Sequence, residues 1–244
     1  DGFGVIWAMP GQRPGEGLYC DIVYHPLARL EYEDLDFYDW PDGTDPAPFK
    51  GLREYAKKLR EETDYALVSG ITGVVFEYCW YMRGFENLYI DMVDNPRYVE
   101  KLLDHMLKYW TDFLGVFLDE VGEYLDVICV GDDIGMQSGP LFSPALYRKL
   151  IKPYQKSLYE FMHWKTRAKL WYLSCGSVIQ YLPDFLDNRV DILNPVQVSA
   201  KGMDPRTLKQ EWGRDLVFWG GGNDPQGIFS RGTPEQVRQQ VRIP

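Results

Sequence analysis

Asp126-Val-Ile-Cys-Val-Gly-Asp-Asp-Ile-Gly-Met-Gln-Ser-Gly-Pro140 decides how this chain is read. Val127 to Val130 is an apolar, mostly β-branched run. That is the pattern of a strand buried on both faces, as in a parallel sheet. The run ends in two adjacent carboxylates, Asp132 and Asp133. Gly131, Gly135 and Gly139 punctuate the loop that follows, and Ser143-Pro144 opens a helix. A buried strand that delivers acids into a Gly-rich loop before a helix is one βα unit. Its candidate site lies at the carboxyl end of the strand.

The same plan repeats outward from this unit. Upstream, Gly4 to Ala8 reads as a short strand and Pro10 to Gly17 as a Gly/Pro loop. Leu30 to Asp45 is acidic, aromatic and irregular. Phe49 to Thr63 is an amphipathic helix, with Leu52, Tyr55, Ala56 and Leu59 on one face. Tyr65 to Ser69 is a strand, followed by Gly70 and Gly73. Val74 to Arg83 is an aromatic run that suits core or pocket equally. Asn95-Pro96 opens a long helix, with Asn95 as N-cap and a wide apolar face from Val99 to Val121. Downstream, Ser143 to His163 is helical, and Pro153 demands a kink or two shorter helices. Ala168 to Ser174 and Val190 to Leu193 are strands around a short helix, Val178 to Leu186. Asp204-Pro205 caps a helix that stops at Gly213. Leu216 to Trp219 is a strand running into Gly220-Gly-Gly-Asn-Asp-Pro-Gln226. Thr233-Pro-Glu-Gln236 is a capping box.

Alternation of strand and helix implies a parallel sheet. No GxGxxG or GxxxxGK[ST] follows a strand, so nucleotide-binding α/β folds lack support. Polar residues after nearly every strand favour an α/β (β/α)8 TIM barrel, read here as a single domain over residues 1–244. About six strands are visible where eight close a barrel. The remainder are expected before Asp1 and after Pro244.

Composition narrows function. Hydrophobic residues are 45% of the 244, enough for a sizeable core, and aromatics are 15%, which suits an aromatic-lined pocket. The formal net charge of -10 argues against nucleic acid and anionic membranes as partners. Cys20, Cys79, Cys129 and Cys175 form no CxxC pair, and neither a signal peptide nor an apolar run of membrane-spanning length is evident. This fits reduced thiols in a cytoplasm.

If the strand ends ring one mouth, it holds Glu77, Tyr81, Arg83, Asp132, Asp133, Gln137, Tyr172, Cys175, Asn194, Gln197, Asn223, Asp224 and Gln226. Adjacent side chains of an extended backbone point opposite ways, so at most one of Asp132 and Asp133 faces the cavity. The other is expected to take backbone N–H bonds from the Gly loop. The inward carboxylate, with Glu77, is the candidate acid/base or stabiliser of a cationic intermediate; the competing reading is that both Asp residues cap the next turn. Cys175 is a candidate zinc thiolate or a half-buried thiol. Arg83 either holds a substrate carboxylate or pairs with Glu86 or Asp91.

Several stretches resemble the uroporphyrinogen decarboxylase superfamily: Tyr81-Met-Arg-Gly-Phe-Glu-Asn with Asp94-Asn-Pro, Gly131-Asp-Asp-Ile-Gly with Gly139-Pro and Ser143-Pro, and Ser174-Cys-Gly-Ser. Asp191-Ile-Leu-Asn-Pro-Val-Gln, Lys201-Gly-Met-Asp-Pro and Trp219-Gly-Gly-Gly-Asn-Asp-Pro-Gln extend the likeness, which runs from about Tyr65 to Val241. The resemblance implies a (β/α)8 barrel and one of two chemistries. Decarboxylases remove acetate carboxyls from uroporphyrinogen without a cofactor. Their relatives are zinc- and corrinoid-dependent methyltransferases, and the Asn-Pro-Val-Gln and Lys-Gly-Met-Asp-Pro wording is similar to that branch. In those relatives a His stands two residues before the Cys of the Cys-Gly motif; here that residue is Leu173.

The expectation is a cytoplasmic methyltransferase-like enzyme acting on a small methylated substrate. Its catalytic groups would be Asp132, Asp133 and Glu77. Tyr81, Arg83, Gln137, Tyr172, Asn194, Gln197, Asp224 and Gln226 would bind substrate, and Cys175 would hold a metal. Zinc, a corrinoid on a partner protein and a homodimer are the implied associations. The alternatives are the lyase, uroporphyrinogen decarboxylase, and a barrel that has lost its chemistry and only binds.

Overall fold

The structure, a computed structural model, describes residues 1–9, 20–70 and 74–242. The Pro10 to Gly17 loop and Gly73 fall outside them. At the amino end, β1 (Ile6–Ala8) pairs antiparallel with β2 (Asp21–Tyr24). The first expected strand therefore exists but belongs to a hairpin, not to the parallel sheet.

The chain then runs through α1 (Leu52–Glu62), β3 (Val68–Gly70), α2 (Phe76–Arg83), α3 (Phe85–Asp94) and α4 (Pro96–Val121) to β4 (Val127–Gly131). The aromatic run after β3 is thus a helix, separated from α3 by Gly84 at φ 85°. Asn95 stands at the N-cap of α4, but its side chain makes no capping bond, and Pro96 alone marks the start. At 1.5 Å per residue α4 is roughly 39 Å long. Val99, Leu102, Leu103, Met106, Trp110, Leu114, Phe117 and Val121 all bury on one side, as their spacing requires.

A two-residue ribbon, β5 (Gly135–Met136) with β6 (Gly139–Pro140), follows β4. Next come α5 (Pro144–Leu150), α6 (Lys152–Lys165), β7 (Lys169–Leu173), α7 (Leu182–Asp187), β8 (Ile192–Asn194), α8 (Pro205–Trp212), β9 (Val217–Phe218), α9 (Ile228–Arg231) and α10 (Pro234–Val241). Pro153 sits in the first turn of α6, where its missing N–H costs nothing, so the helical stretch breaks at Ile151. Asp204 caps α8 by accepting from the Thr207 N–H at 2.9 Å. Thr233 and Gln236 form a reciprocal capping box on α10.

The main sheet has the order β3-β4-β7-β8-β9, every neighbour parallel. Spatial order equals chain order, with a helical crossover between each pair. There is no reversal of strand order, so the sheet is an arc of a (β/α)8 barrel and not a doubly wound sheet. Its two faces differ. Ile128, Val130, Leu170, Tyr172 and Leu193 join the large core under the helices. Val127, Cys129 and Ile192 cluster with Trp171 on the other face, the interior of the arc. Burial of each large side chain contributes about 1.5–3 kcal/mol, so this two-sided strand set fixes the register of the residues at its carboxyl end. Among the described residues no helix is long and apolar enough to cross a membrane.

Candidate active site

The ends of β4 and β7 approach closely enough to exclude side chains. A Cβ on Gly131 would lie 2.5 Å from the Leu173 carbonyl oxygen. Gly176, at φ +80°, would place its Cβ 2.4 Å from the carbonyl carbon of Gly135. These glycines press the two strand-end loops together and bring Asp133 against Cys175.

Alternation from β4 continues through the acid pair. Asp132 turns to the helix side and is fully buried. Its Oδ1 accepts the backbone N–H groups of Phe76 (2.7 Å) and Glu77 (2.9 Å), the first turn of α2. Its Oδ2 accepts from Gln155 Nε2 at 2.8 Å. Gln155 Oε1 in turn accepts from the Tyr147 hydroxyl at 2.7 Å, and the Tyr172 hydroxyl donates to the Asp132 carbonyl at 3.1 Å. Burial pushes the Asp132 carboxyl up to about 6 against the pull of these donors. Asp132 does take backbone N–H bonds, but from helix α2 rather than from the Gly loop that follows it.

Asp133 turns the other way. Its Oδ1 accepts the Cys175 backbone N–H at 2.6 Å. Glu77, 8% exposed, faces the same place from α2. Burial, then the charges of Asp132 and Asp133, push its carboxyl up to about 8. The Tyr81 hydroxyl, one helical turn along, and the Asp133 N–H act in the opposite sense and do not win. Glu77 therefore carries its proton at neutral pH, while Tyr81 is pushed far above the ordinary phenol range, chiefly by burial. The Cys175 thiol is pushed up to about 12 by burial and by Asp133, so it too is protonated. The result is a set of neutral acids around one half-buried carboxylate.

Gln197 extends this set. Its Oε1 accepts the Gly176 N–H at 2.9 Å, and its Nε2 donates to Gln137 Oε1. Gln137 Nε2 donates to the Ser199 carbonyl at 2.6 Å. Asp133, Cys175, Gln197 and Gln137 thus form one connected chain, with Glu77 and Tyr81 beside Asp133. Asn194 bridges the ends of β8 and β9 through the Trp219 carbonyl at 2.8 Å.

Other expected site residues are placed elsewhere. Tyr172 is fully buried on the helix side, against Tyr159 and Phe185; period-two alternation along β7 sends it away from the interior. Arg83 is 13% exposed and donates to Asp91 Oδ2 at 2.7 Å and to the Leu27 and Leu30 carbonyls. Its plane also covers Tyr98 at 4.1 Å. It is an internal tie, not a carboxylate grip. Asp224 accepts the Gln226 N–H at 3.1 Å and, through its own N–H, binds Gln240 of α10. Asp224 and Gln226 therefore shape their own turn, and Asn223 lines a separate hollow of about 280 Å³ with Asp204 and Gln240.

Sequence reasoning missed Gln155 and Tyr147. Gln155 shares the buried stripe of α6 with Leu158, Tyr159 and Met162, and a polar residue on that stripe was the available signal. It also missed the hairpin over Tyr81. Trp7 meets the Tyr81 ring edge-on with centroids 5.1 Å apart, and His25 Nδ1 lies 2.7 Å from the Tyr81 carbonyl.

Among the described residues the donor set does not fit zinc. Among the described residues no three His, Cys, Asp or Glu side chains converge as a metal site. The nearest side chain in sequence that the resemblance would enlist is Leu173, which has no donor atom.

Sequentially ordered parallel strands, with polar side chains gathered at their carboxyl ends, define the class of barrel proteins that bind ligands at that mouth. Residues 21–243 match the family model described as uroporphyrinogen decarboxylase (URO-D), and the chain belongs to that family. No curated protein matches it in sequence. Among solved structures, a methyltransferase from Methanosarcina mazei is similar with a TM-score of 0.59 at 16% identity, over 98% of this chain and 74% of that one. A likeness at that identity speaks for the fold.

Proposed function

We propose that this chain is an enzyme of methyl transfer within the URO-D family, acting on a small, uncharged methylated substrate. The observation that carries the reading is Glu77: a buried carboxyl, protonated at neutral pH, at the mouth beside Asp133. Transfer of a methyl group from an ether or thioether leaves an oxygen or sulfur anion that must be protonated. As the C–O or C–S bond breaks, its electron pair stays on the heteroatom, which takes the Glu77 proton while the methyl group passes to an acceptor. Glu77 regains its proton from water. A general acid near neutral pKa contributes typically 10²–10⁴-fold.

Asp133 holds the Cys175 backbone and keeps the Glu77 proton in place by its charge. Tyr81, Gln137 and Gln197 offer the polar contacts that orient a neutral ligand. The acceptor expected in this branch is a corrinoid carried by a partner protein, which supplies a strongly nucleophilic metal centre. An octacarboxylate substrate calls for convergent cations, and Arg83 is committed to Asp91.

The test is incubation with reduced free cobalamin and a panel of methyl ethers and thioethers, following methylcobalamin by absorbance. Methyl transfer that falls at least tenfold in Glu77→Gln supports the reading. Inertness toward the whole panel, or conversion of uroporphyrinogen to less carboxylated porphyrinogens, overturns it.

A further inference from the structure

Asp132 lies on the far side of the strand end from the mouth, yet it makes contact with the helix that carries Glu77. We propose that Asp132 is the positioning residue of this site: its carboxylate clamps the first turn of α2 and thereby holds the Glu77 carboxyl at the mouth, and Gln155 holds Asp132. The inference rests on the reading of Glu77 as the proton donor.

Three observations carry it. The two N–H groups bound by Asp132 Oδ1 are those of Phe76 and of Glu77 itself, so the carboxylate fixes the backbone from which the acid projects. Among the described residues no other side chain caps α2. The remaining oxygen is satisfied by a buried amide that is oriented from both ends. Gln155 Nε2 donates to Asp132 Oδ2 and lies 3.1 Å from the Tyr172 hydroxyl, while Gln155 Oε1 accepts a hydrogen bond from the Tyr147 hydroxyl. Gln155 is therefore held in one amide orientation, with its N–H toward the acid. A fully buried side chain in such a network has one rotamer available, and the first turn of α2 inherits that rigidity.

The clamp also sets the charge state of its client. The groups acting on Glu77 are Tyr78 and Tyr81 from its own helix, Asp132 and Asp133 from the end of β4, and Cys175 from the end of β7. All are acids or neutral. Asp132 and Asp133 are the carboxylates among them, and both disfavour loss of the Glu77 proton. One residue thus fixes where the proton donor sits and helps keep it loaded.

The experiment uses Asp132→Asn and Gln155→Met in the intact chain. Asn keeps an acceptor for the two N–H groups while removing the charge; Met keeps the volume of Gln155 while removing the donor to Asp132. The Glu77 carboxyl is titrated by ¹³C NMR in the free protein, assigned by its loss in Glu77→Gln. The expected result is a Glu77 midpoint lower than wild type in Asp132→Asn, with the alkaline limb of kcat moving by the same amount for the best methyl donor of the panel above. Gln155→Met is expected to lower kcat by roughly ten- to a hundredfold through misplacement, with KM little changed. An unchanged Glu77 midpoint in Asp132→Asn together with unchanged kcat in Gln155→Met overturns the proposal. A shifted midpoint with an unmoved kcat limb instead overturns Glu77 as the proton donor and leaves only the effect of the Asp132 charge on Glu77 supported.

Discussion

Asp132 and Asp133 are neighbours in the chain and occupy different media. Asp132 is enclosed between the sheet and α2, α5 and α6, with every carboxylate oxygen met by a donor. Asp133 is half-buried and faces the mouth, where it meets the loop after β7. The difference follows from a period of two along the strand and from the helix N-terminus waiting on one side only. The outer acid serves folding first and, on the proposed reading, chemistry only through Glu77. The inner acid is free to touch a ligand.

The sharpest way to break this contrast is to delete each acid in turn. Asp132→Ala takes the acceptor from two helix N–H groups and from the Gln155 Nε2 group in a dry site, and it is expected to cost about 3–5 kcal/mol. Asp133→Ala exposes one backbone N–H at a half-wet surface and is expected to cost about 1 kcal/mol or less. Urea unfolding midpoints of the two variants measure the difference. Equal losses would mean that the two sides of the strand end are not distinct environments.

A second large effect concerns how closely the two loops meet. Gly131→Ala puts a methyl group 2.5 Å from the Leu173 carbonyl oxygen. The strands must separate, which is expected to cost on the order of 1–3 kcal/mol, the usual range for overpacking. Because the shift moves Asp133 away from the Cys175 N–H, the proposed methyl-transfer activity is expected to fall by a larger factor than the folding equilibrium constant. Thermal unfolding and initial rates on the same preparation check both.

The inner acids have a pH signature. Glu77 ionises near 4.5 in an unfolded chain and at about 8 in the folded one. Below the first value both states hold the proton and nothing is lost. As pH rises between the two values the unfolded chain releases its proton while the folded chain keeps it, so stability falls. Above about 8 the penalty is constant. Each pH unit in that window corresponds to roughly 1.4 kcal/mol at most; with relaxation around the site the total is expected to be on the order of 2 kcal/mol. Glu77→Gln removes the dependence, so its advantage over wild type in unfolding midpoint grows from pH 5 to pH 8 and then levels. An advantage that stays flat over that range would show that Glu77 is already ionised in the fold.

How much of this was legible beforehand depends on which physical rule governs each residue. The apolar run Val127 to Val130, the break at Pro153 and the Thr233 capping box are local, and each forms as its residues require. The opposed directions of Asp132 and Asp133 are local too, since an extended backbone imposes them. Gly4 to Ala8 was readable as a strand but not as a hairpin strand, because its partner at Asp21–Tyr24 lies across a long connection. The tie between Arg83 and Asp91 was one of two readings, and the outcome turns on the Leu27 and Leu30 carbonyls, which no spacing reveals. Tyr172 shows the opposite failure: alternation along β7 would have sent it to the helix side had Trp171 and Leu173 been set on the interior. Gln155 was invisible for lack of a partner in view; its meaning comes only when Asp132 arrives from β4.

The smallest expected effect separates the two media through a single atom. Tyr147→Phe removes the hydroxyl that donates to Gln155 Oε1. The acceptor left behind is buried, but the ring still packs against Tyr181 and Phe142, so only the hydrogen bond is lost. The expected cost is about 1 kcal/mol in unfolding free energy. Tyr81→Phe removes a hydroxyl of similar chemistry on the inner side, where Glu77 is its neighbour and Trp7 packs against its ring. Because that hydroxyl favours the charged form of Glu77, its loss is expected to raise the Glu77 midpoint slightly while changing stability by less than Tyr147→Phe does. The two variants, measured by denaturant unfolding and by ¹³C titration, should therefore differ in opposite columns: one in stability, the other in the proton held at the mouth. A Tyr147→Phe variant that moved the Glu77 midpoint as far as Tyr81→Phe would mean that the strand does not insulate its two faces.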